Sequence, residues 1–206
     1  MSIVFYYAPW SSASPVASAL AELGVPHEAV KFDLAKNDQK KPEFLAINPN
    51  GKVPTLVVDG APMFEAVAIM TWLGEKLGVQ KKLWPKAGTP EHLQALSWSA
   101  WSYVSYAGGL GLLAAATSER VSKEMHNAAQ AAYAHTLLKG MLDVLDARLA
   151  KHGHILGADY SLADLIVASV IGYGVHVGQP IDAHPHVKTW VEAFQKREAY
   201  QITIQR

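Results

Sequence analysis

Asn48-Pro49-Asn50-Gly51-Lys52-Val53-Pro54-Thr55-Leu56, followed nine residues after Leu56 by Glu65-Ala66, combines a turn, a strand start and a carboxylate. Such a set can grip a small peptide. Asn50-Gly51 tolerates positive φ and marks the turn, while Pro54 at the mouth of a strand donates no ladder hydrogen bond. If the Val53-Pro54 peptide is cis, the Val53 backbone turns outward and offers an N–H and a C=O for β-type pairing with a peptide. Beyond Glu65, the residues Ile69, Trp72, Leu73 and Leu77 recur at helical spacing, with Gly78 as a stop. Glu65 and Ala66 therefore open a helix, where unpaired amides suit a carboxylate and the Glu65 side chain can take an ammonium. Taken singly, Pro54 is an edge-strand proline and Glu65 a first-turn acid; their order and spacing make them a site.

The composition narrows what that site can do. The chain has 206 residues, half of them hydrophobic, which is enough for a packed core without staples. Lys plus Arg and Asp plus Glu number 18 each, so no basic field points to nucleic acid or an anionic membrane. The chain contains no cysteine, which leaves no disulfide, no thiolate metal site and no redox thiol of its own. Any thiol chemistry must arrive with a ligand, and a disulfide reductase of the glutaredoxin type is excluded on this reading. His152-Gly153-His154 and His184-Pro185-His186 have metal-like spacing but no third ligand in view, so exposed loop histidines and no metal are expected. Met1 leads directly into the strand pattern Ile3-Val4-Phe5-Tyr6-Tyr7 without a basic leader, and no apolar run is long enough for a bilayer. A soluble cytoplasmic protein that makes no membrane contact is the expectation.

The elements that must position these residues alternate at first. A strand at Ile3 to Tyr7, a helix near Pro15 to Leu23 and a strand around His27 to Phe32 precede the turn segment. A short helical turn near Pro42 to Ala46, the strand Thr55 to Val58 and an extended run at Pro62-Met63-Phe64 then lead to the Glu65 helix. This βαβ-ββα order predicts a thioredoxin-like α/β domain over residues 1–79, with a Lys- and Pro-rich linker over 80–90. From Glu91 onward strand signals are few, and Leu137, Leu138, Met141, Leu142, Leu145 and Leu149 recur at i, i+3, i+4 spacing. Residues 91–206 are expected to form an all-α helical bundle. Within it Ser161 can cap a buried helix while Asp164 reaches back to it. The run Gly108-Gly109-Leu110-Gly111 follows a helical pattern and is not a dinucleotide loop. In the loop after the first strand, Ser14-Pro15 fits an N-cap followed by the first helical position.

Val53-Pro54 with Glu65, together with the Ser161-x-x-Asp164 box, resembles the glutathione transferase superfamily of cytosolic, bacterial beta- and theta-like type, over essentially the whole chain. The resemblance implies that glutathione is the co-substrate and that no metal is needed. Val53, ahead of a cis Pro54, would pair with the cysteinyl backbone, Glu65 with the γ-glutamyl ammonium, and Lys52 with the glycyl carboxylate. Ala66 stands where the family usually has Ser, so its backbone amide can still donate to the γ-glutamyl carboxylate but no hydroxyl can. Ser12 falls on the cysteine position of the beta class and Ser11 on the serine position of theta-like members. Either hydroxyl would donate to the glutathione thiolate, with Tyr6 or Tyr7 as the alternative from strand one. Trp10, Trp101, Tyr103 and Tyr106 are the candidate lining of a pocket for a hydrophobic electrophile. The His-Lys pair of beta-class members is missing, since that region reads Ala107-Gly108-Gly109. The implied activity is detoxifying conjugation of glutathione to hydrophobic electrophiles by a homodimer. A glutathione-dependent isomerase or dehalogenase, or a non-catalytic binding protein, is the alternative.

Overall fold

In the computed structural model, which describes residues 1–119 and 121–204, the first unit is built on a four-stranded sheet. Its strands are β1 (Ile3–Tyr7), β2 (Glu28–Lys31), β3 (Thr55–Val58) and β4 (Ala61–Phe64), in the spatial order β2-β1-β3-β4. β1 pairs parallel with β2 across the helix α1 (Ser14–Glu22), as a βαβ crossover requires, and antiparallel with β3, which forms a hairpin with β4. α3 (Ala66–Leu73) follows the hairpin and packs against α1. The core holds Phe5 and Leu56 from the sheet, Val16, Ala19 and Leu20 from α1, and Ile69, Met70 and Leu73 from α3, all essentially without exposure. Gly74 continues α3 into a π-helical turn, and a Cβ there would lie 2.6 Å from the Trp84 ring, so only glycine admits that indole.

α1 starts one residue earlier than the sequence pattern suggests. Ala13 is its N-cap and makes no side-chain cap, so Ser14 lies inside the helix and does not cap it. The capping falls to Ser11, whose Oγ accepts from the Ala13 N–H at 3.1 Å and whose carbonyl accepts from the Ser14 N–H at 3.0 Å.

The chain divides at Ala87/Gly88 into two compact units, but residues 195–204 cluster with the sheet-bearing unit. Residues 91–206 were expected to stay together. The return is built on α9 (Glu198–Ile204), which packs against α1. Arg197 donates to both carboxylate oxygens of Glu22 at 2.5 and 3.0 Å, and Ser18 and Thr203 share a hydrogen bond of 3.0 Å. A short helix carries no mark of which core it joins.

The second unit, Gly88–Phe194, is helical. It contains α4 (Pro90–Ala100), capped by Thr89, which runs through a π-helical stretch (Trp101–Tyr106) into α5 (Ala107–Thr117). The glycines at 108, 109 and 111 are therefore helical, as their pattern indicates. The long α6 (Ala128–His152) buries Ala134, Leu138, Leu142, Leu145 and Leu149. α7 (Leu162–His176) is the apolar centre of the unit, and α8 (Pro185–Gln195) closes it.

Asp164 is fully buried at the start of α7. Its Oδ2 accepts from the Ser161 N–H and Oγ–H, both at 2.9 Å, and its Oδ1 from the Ile155 N–H at 2.9 Å and Trp190 Nε1–H at 3.0 Å. His154 Nδ1 lies 3.1 Å from the same Oδ1. One carboxylate thus ties the helix start to the preceding loop and to α8.

His184 corrects the expectation of exposed loop residues, whereas His186 is exposed as expected. His184 is 4% exposed, with Nε2 2.8 Å from Asp143 Oδ1, and His186 Nδ1 lies 2.9 Å from Asp146 Oδ2. Asp146 also accepts from the His186 and Val187 amides at 2.9 and 3.0 Å, so α6 supplies the N-terminal cap of α8. The spacing that looked like metal chemistry joins two helices. Among the described residues no group of three or more potential ligands could hold a metal, and no helix is long and apolar enough to cross a membrane.

Candidate active site

The strand register gathers the candidate residues at one edge of the sheet. Tyr6 pairs with Thr55 and Thr55 with Phe64, so three segments leave the sheet at the same end. These are the loop after β1 (Ala8 to Ala13), the residues before β3 (Lys52, Val53, Pro54) and those after β4 (Glu65, Ala66).

The middle segment is fixed from within. Asn48 is 1% exposed; its Nδ2 donates to the Lys52 carbonyl at 3.0 Å and to Thr55 Oγ1 at 2.9 Å. Its Oδ1 accepts from the Asn50 N–H and Nδ2, both at 3.1 Å. All the hydrogen-bonding groups of one buried amide are therefore spent on holding both ends of the 48–55 loop. Asn48 was missed as a functional residue from sequence, although an Asn opening Asn-Pro-Asn-Gly is the Asx-turn signal that could have found it. Gly51 adopts φ 56°, and a Cβ there would sit 2.8 Å from the Gln39 carbonyl, so the turn excludes any other residue on both counts. The Val53–Pro54 peptide that follows is cis. Val53 is buried, Lys52 is exposed, and the Val53 N–H has no partner among the described residues.

Ser12 reaches across to this segment. Its Oγ–H donates to the Val53 carbonyl at 3.0 Å, and the residue is exposed. Ser11 is committed locally, donating to the Ala8 carbonyl at 2.7 Å besides accepting from Ala13. Trp10, 76% exposed, takes φ 55° beside them. Tyr6 is absorbed into packing, its ring centroid 5.6 Å from that of Phe32 and 5.3 Å from that of Phe44. Tyr7 stacks on Phe5 at 5.5 Å.

Glu65 is exposed and holds φ 70° and ψ 115°, a backbone conformation L-residues rarely adopt, while its side chain makes no cap to α3. Its carboxylate has no ion-pair partner among the described residues. The first-turn amides of α3, beginning at the buried Ala66, are therefore left for an acceptor from outside the helix. An anion at the α3 start, a cation at Glu65 and an extended backbone at Val53 are what a zwitterionic peptide requires.

In the helical unit, Tyr106 does not line a cleft. It is fully buried, 5.9 Å by ring centroid from Trp101, with its hydroxyl unpartnered among the described residues. Burial pushes its phenol far above the usual value. A Cβ on Gly174 would come within 3.0 Å of its Oη, so that glycine makes room for the ring. The spacing that put Tyr106 among the lining candidates belongs to the packed face of a helix. Trp101, in edge contact with Trp98 at 5.1 Å, and Tyr103 are half-buried.

Sequence and structural comparison place this arrangement. Residues 10–76 match the glutathione S-transferase N-terminal domain and residues 111–198 the C-terminal domain. Glutathione S-transferase F10 of Arabidopsis thaliana is 31% identical, spanning 97% of this chain and 95% of its own. The disulfide-bond oxidoreductase YfcG of Escherichia coli is 28% identical over 96% of this chain and 92% of its own. The structure of a sphingomonad glutathione S-transferase complexed with glutathione superposes with a TM-score of 0.81 at 26% identity, covering 98% of this chain and 97% of that one. A thioredoxin-like sheet unit, a helical unit and full-length likeness to these enzymes together show that the chain belongs to the glutathione S-transferase superfamily and is a transferase enzyme.

Proposed function

We propose that this enzyme binds glutathione along the edge formed by Ser12, Val53 and Glu65 and passes its thiolate to a hydrophobic electrophile. The observation that carries this reading is the convergence of these three residues, set by the register of β1, β3 and β4. The Val53 backbone pairs with the cysteinyl residue, Glu65 takes the γ-glutamyl ammonium, the α3 amides at Ala66 take the γ-glutamyl carboxylate, and Lys52 takes the glycyl carboxylate. Ser12 donates to the sulfur in preference to Ser11, whose proton is held within its own turn. A free thiol titrates near 8.5, and lowering that by about two units corresponds to roughly 2.7 kcal/mol of thiolate stabilisation. A hydroxyl donor together with helix-end amides can supply this much. The thiolate then attacks the electrophilic carbon, the S–C bond forming as the leaving group departs with its electron pair. Trp10, exposed in the same loop as Ser12, offers aromatic surface to the electrophile. The reaction suits a cytoplasm rich in reduced thiol. A homodimer is favoured by the exposed apolar side chains of α4 and the stretch that continues it, where Leu93 and Val104 are 61% and 72% exposed.

Calorimetric titration with glutathione, followed by its consumption with a chloronitroaromatic, tests the reading. Saturable binding and turnover are expected; no binding at millimolar glutathione overturns it, and binding without turnover of any electrophile in a panel leaves the non-catalytic alternative.

A second reading rests on the relative named a disulfide-bond oxidoreductase. The lack of cysteine excludes a protein thiol but not reduction by two glutathiones. One thiolate attacks the disulfide and releases a thiolate, and the second attacks the mixed disulfide, giving glutathione disulfide and two thiols. Formation of glutathione disulfide from a model disulfide is its measurable mark.

A further inference from the structure

The Ser12 hydroxyl carries one proton, and in the structure that proton is held by the Val53 carbonyl at 3.0 Å. The same carbonyl is one of two backbone groups that a peptide ligand would use for β-type pairing at Val53. Val53 is 8% exposed, and the exposed Ser12 is the donor its carbonyl has among the described residues. Removing the Ser12 donor without replacement costs about as much as a charge-assisted bond to sulfur gains. Ser11 cannot take the role at lower cost, because its hydroxyl both donates to Ala8 and accepts from Ala13 within one turn.

We propose that Ser12 and Val53 form an exchange pair that restricts thiol activation to thiols carried on a peptide: the ligand's cysteinyl N–H replaces Ser12 on the Val53 carbonyl, and the released hydroxyl turns to the sulfur. The inference rests on the proposed glutathione site and adds a rule to it. A hydroxyl rotor reorients about its Cβ–Oγ bond without moving the backbone, so the exchange needs no loop motion. With the amide present, every acceptor keeps a donor. A thiol lacking that N–H leaves the proton on Val53, and its sulfur stays a thiol. The Ser12–Val53 bond, and not the pocket's shape alone, thus selects acylated cysteine thiols over simple thiols.

The test compares glutathione with its ester-linked analogue, in which the N–H between the γ-glutamyl and cysteinyl residues is replaced by oxygen. Ultraviolet thiolate absorbance is followed against pH for each ligand bound to wild type, Ser12→Ala and Ser12→Thr. For glutathione on wild type and Ser12→Thr, the thiolate-to-thiol ratio should rise roughly a hundredfold over free glutathione at the same pH, and on Ser12→Ala most of that rise should vanish. The ester should bind roughly three- to tenfold more weakly than glutathione and show no such rise on wild type. An ester thiol ionised as fully as glutathione, an ester that does not bind at all, or an unchanged ratio in Ser12→Ala overturns the exchange pair while leaving glutathione binding intact. Failure of glutathione itself to bind overturns the underlying site as well.

Discussion

Glu65 combines a free carboxylate with a backbone at φ 70° and ψ 115°. Sparsely populated conformations of this kind cost roughly 1–3 kcal/mol and persist where the surroundings fix them. Here β4 on one side and α3 on the other determine where the residue points. If its carboxylate takes the γ-glutamyl ammonium, Glu65→Gln removes a charge-assisted bond while keeping the side chain's shape. The glutathione dissociation constant, measured by calorimetry, should then rise about ten- to a hundredfold with the melting temperature unchanged. Tyr106 makes the opposite case, an aromatic residue of apparent catalytic type that serves packing. Its buried hydroxyl lacks a partner among the described residues, so Tyr106→Phe should leave stability unchanged or raise it by about 1 kcal/mol. Turnover with any electrophile should be unaffected; a fall in kcat would return Tyr106 to the chemistry.

At the scale of elements, both units rely on one buried polar side chain to fix a turn. Asn48 does so for the loop that presents Val53, and Asp164 for the start of α7. The second is the more costly to lose. Asp164→Ala strands the Ile155 and Ser161 amides and the Trp190 indole N–H in a dry interior, where each unpaired donor costs about 1–3 kcal/mol. A loss of about 3–5 kcal/mol in chemical denaturation is expected, enough to lower the soluble yield, with any remaining folded protein still binding glutathione through the other unit. Asp164→Asn keeps an acceptor oxygen and should lose less. Both braces read as ordinary short polar residues in sequence. Asp164 announced itself through its spacing from Ser161, whereas the partners Ile155 and Trp190 came only from the fold.

Across the whole molecule, acid should weaken both units. The Lys41 ammonium beside Asp38 holds that carboxyl below its ordinary value of 3.8. Lys139 and then His184 do the same for Asp143, and Lys188 for Asp182. For Asp146, burial pushes upward but is outweighed by the His186 ring and the Val187 and His186 amides, so it too is lowered. A carboxylate whose folded pKa is depressed favours the folded state while ionised. That contribution is complete above about pH 5 and is lost as the pH falls through 3.8 and the lower folded values. Lys41 and Lys188 are raised from 10.5, so their share is present below that value and lost as the pH rises past it. Calorimetric melting temperatures should be level through neutrality and fall below about pH 4. A melting temperature that holds from about pH 5 to about pH 3 would show that these pairs contribute nothing.

The sequence by itself determined the two kinds of unit, the strands and helices of the first, the turn at Asn50-Gly51 and the chemistry a cysteine-free chain must borrow. These follow from local causes: side-chain periodicity, the φ preferences of glycine and proline, and residue inventory. Tertiary structure decided what depends on groups far apart in the chain. It aligned Ser12, Val53 and Glu65 through strand register, gave the Ser12 proton to a carbonyl 41 residues away and the Ser11 proton to its own turn, and returned α9 to the first unit. It also placed Tyr106 in a core and turned a metal-like histidine spacing into a clasp between helices. A side chain's role at these positions is set by which acceptor its proton reaches, and spacing along the chain does not record that distance.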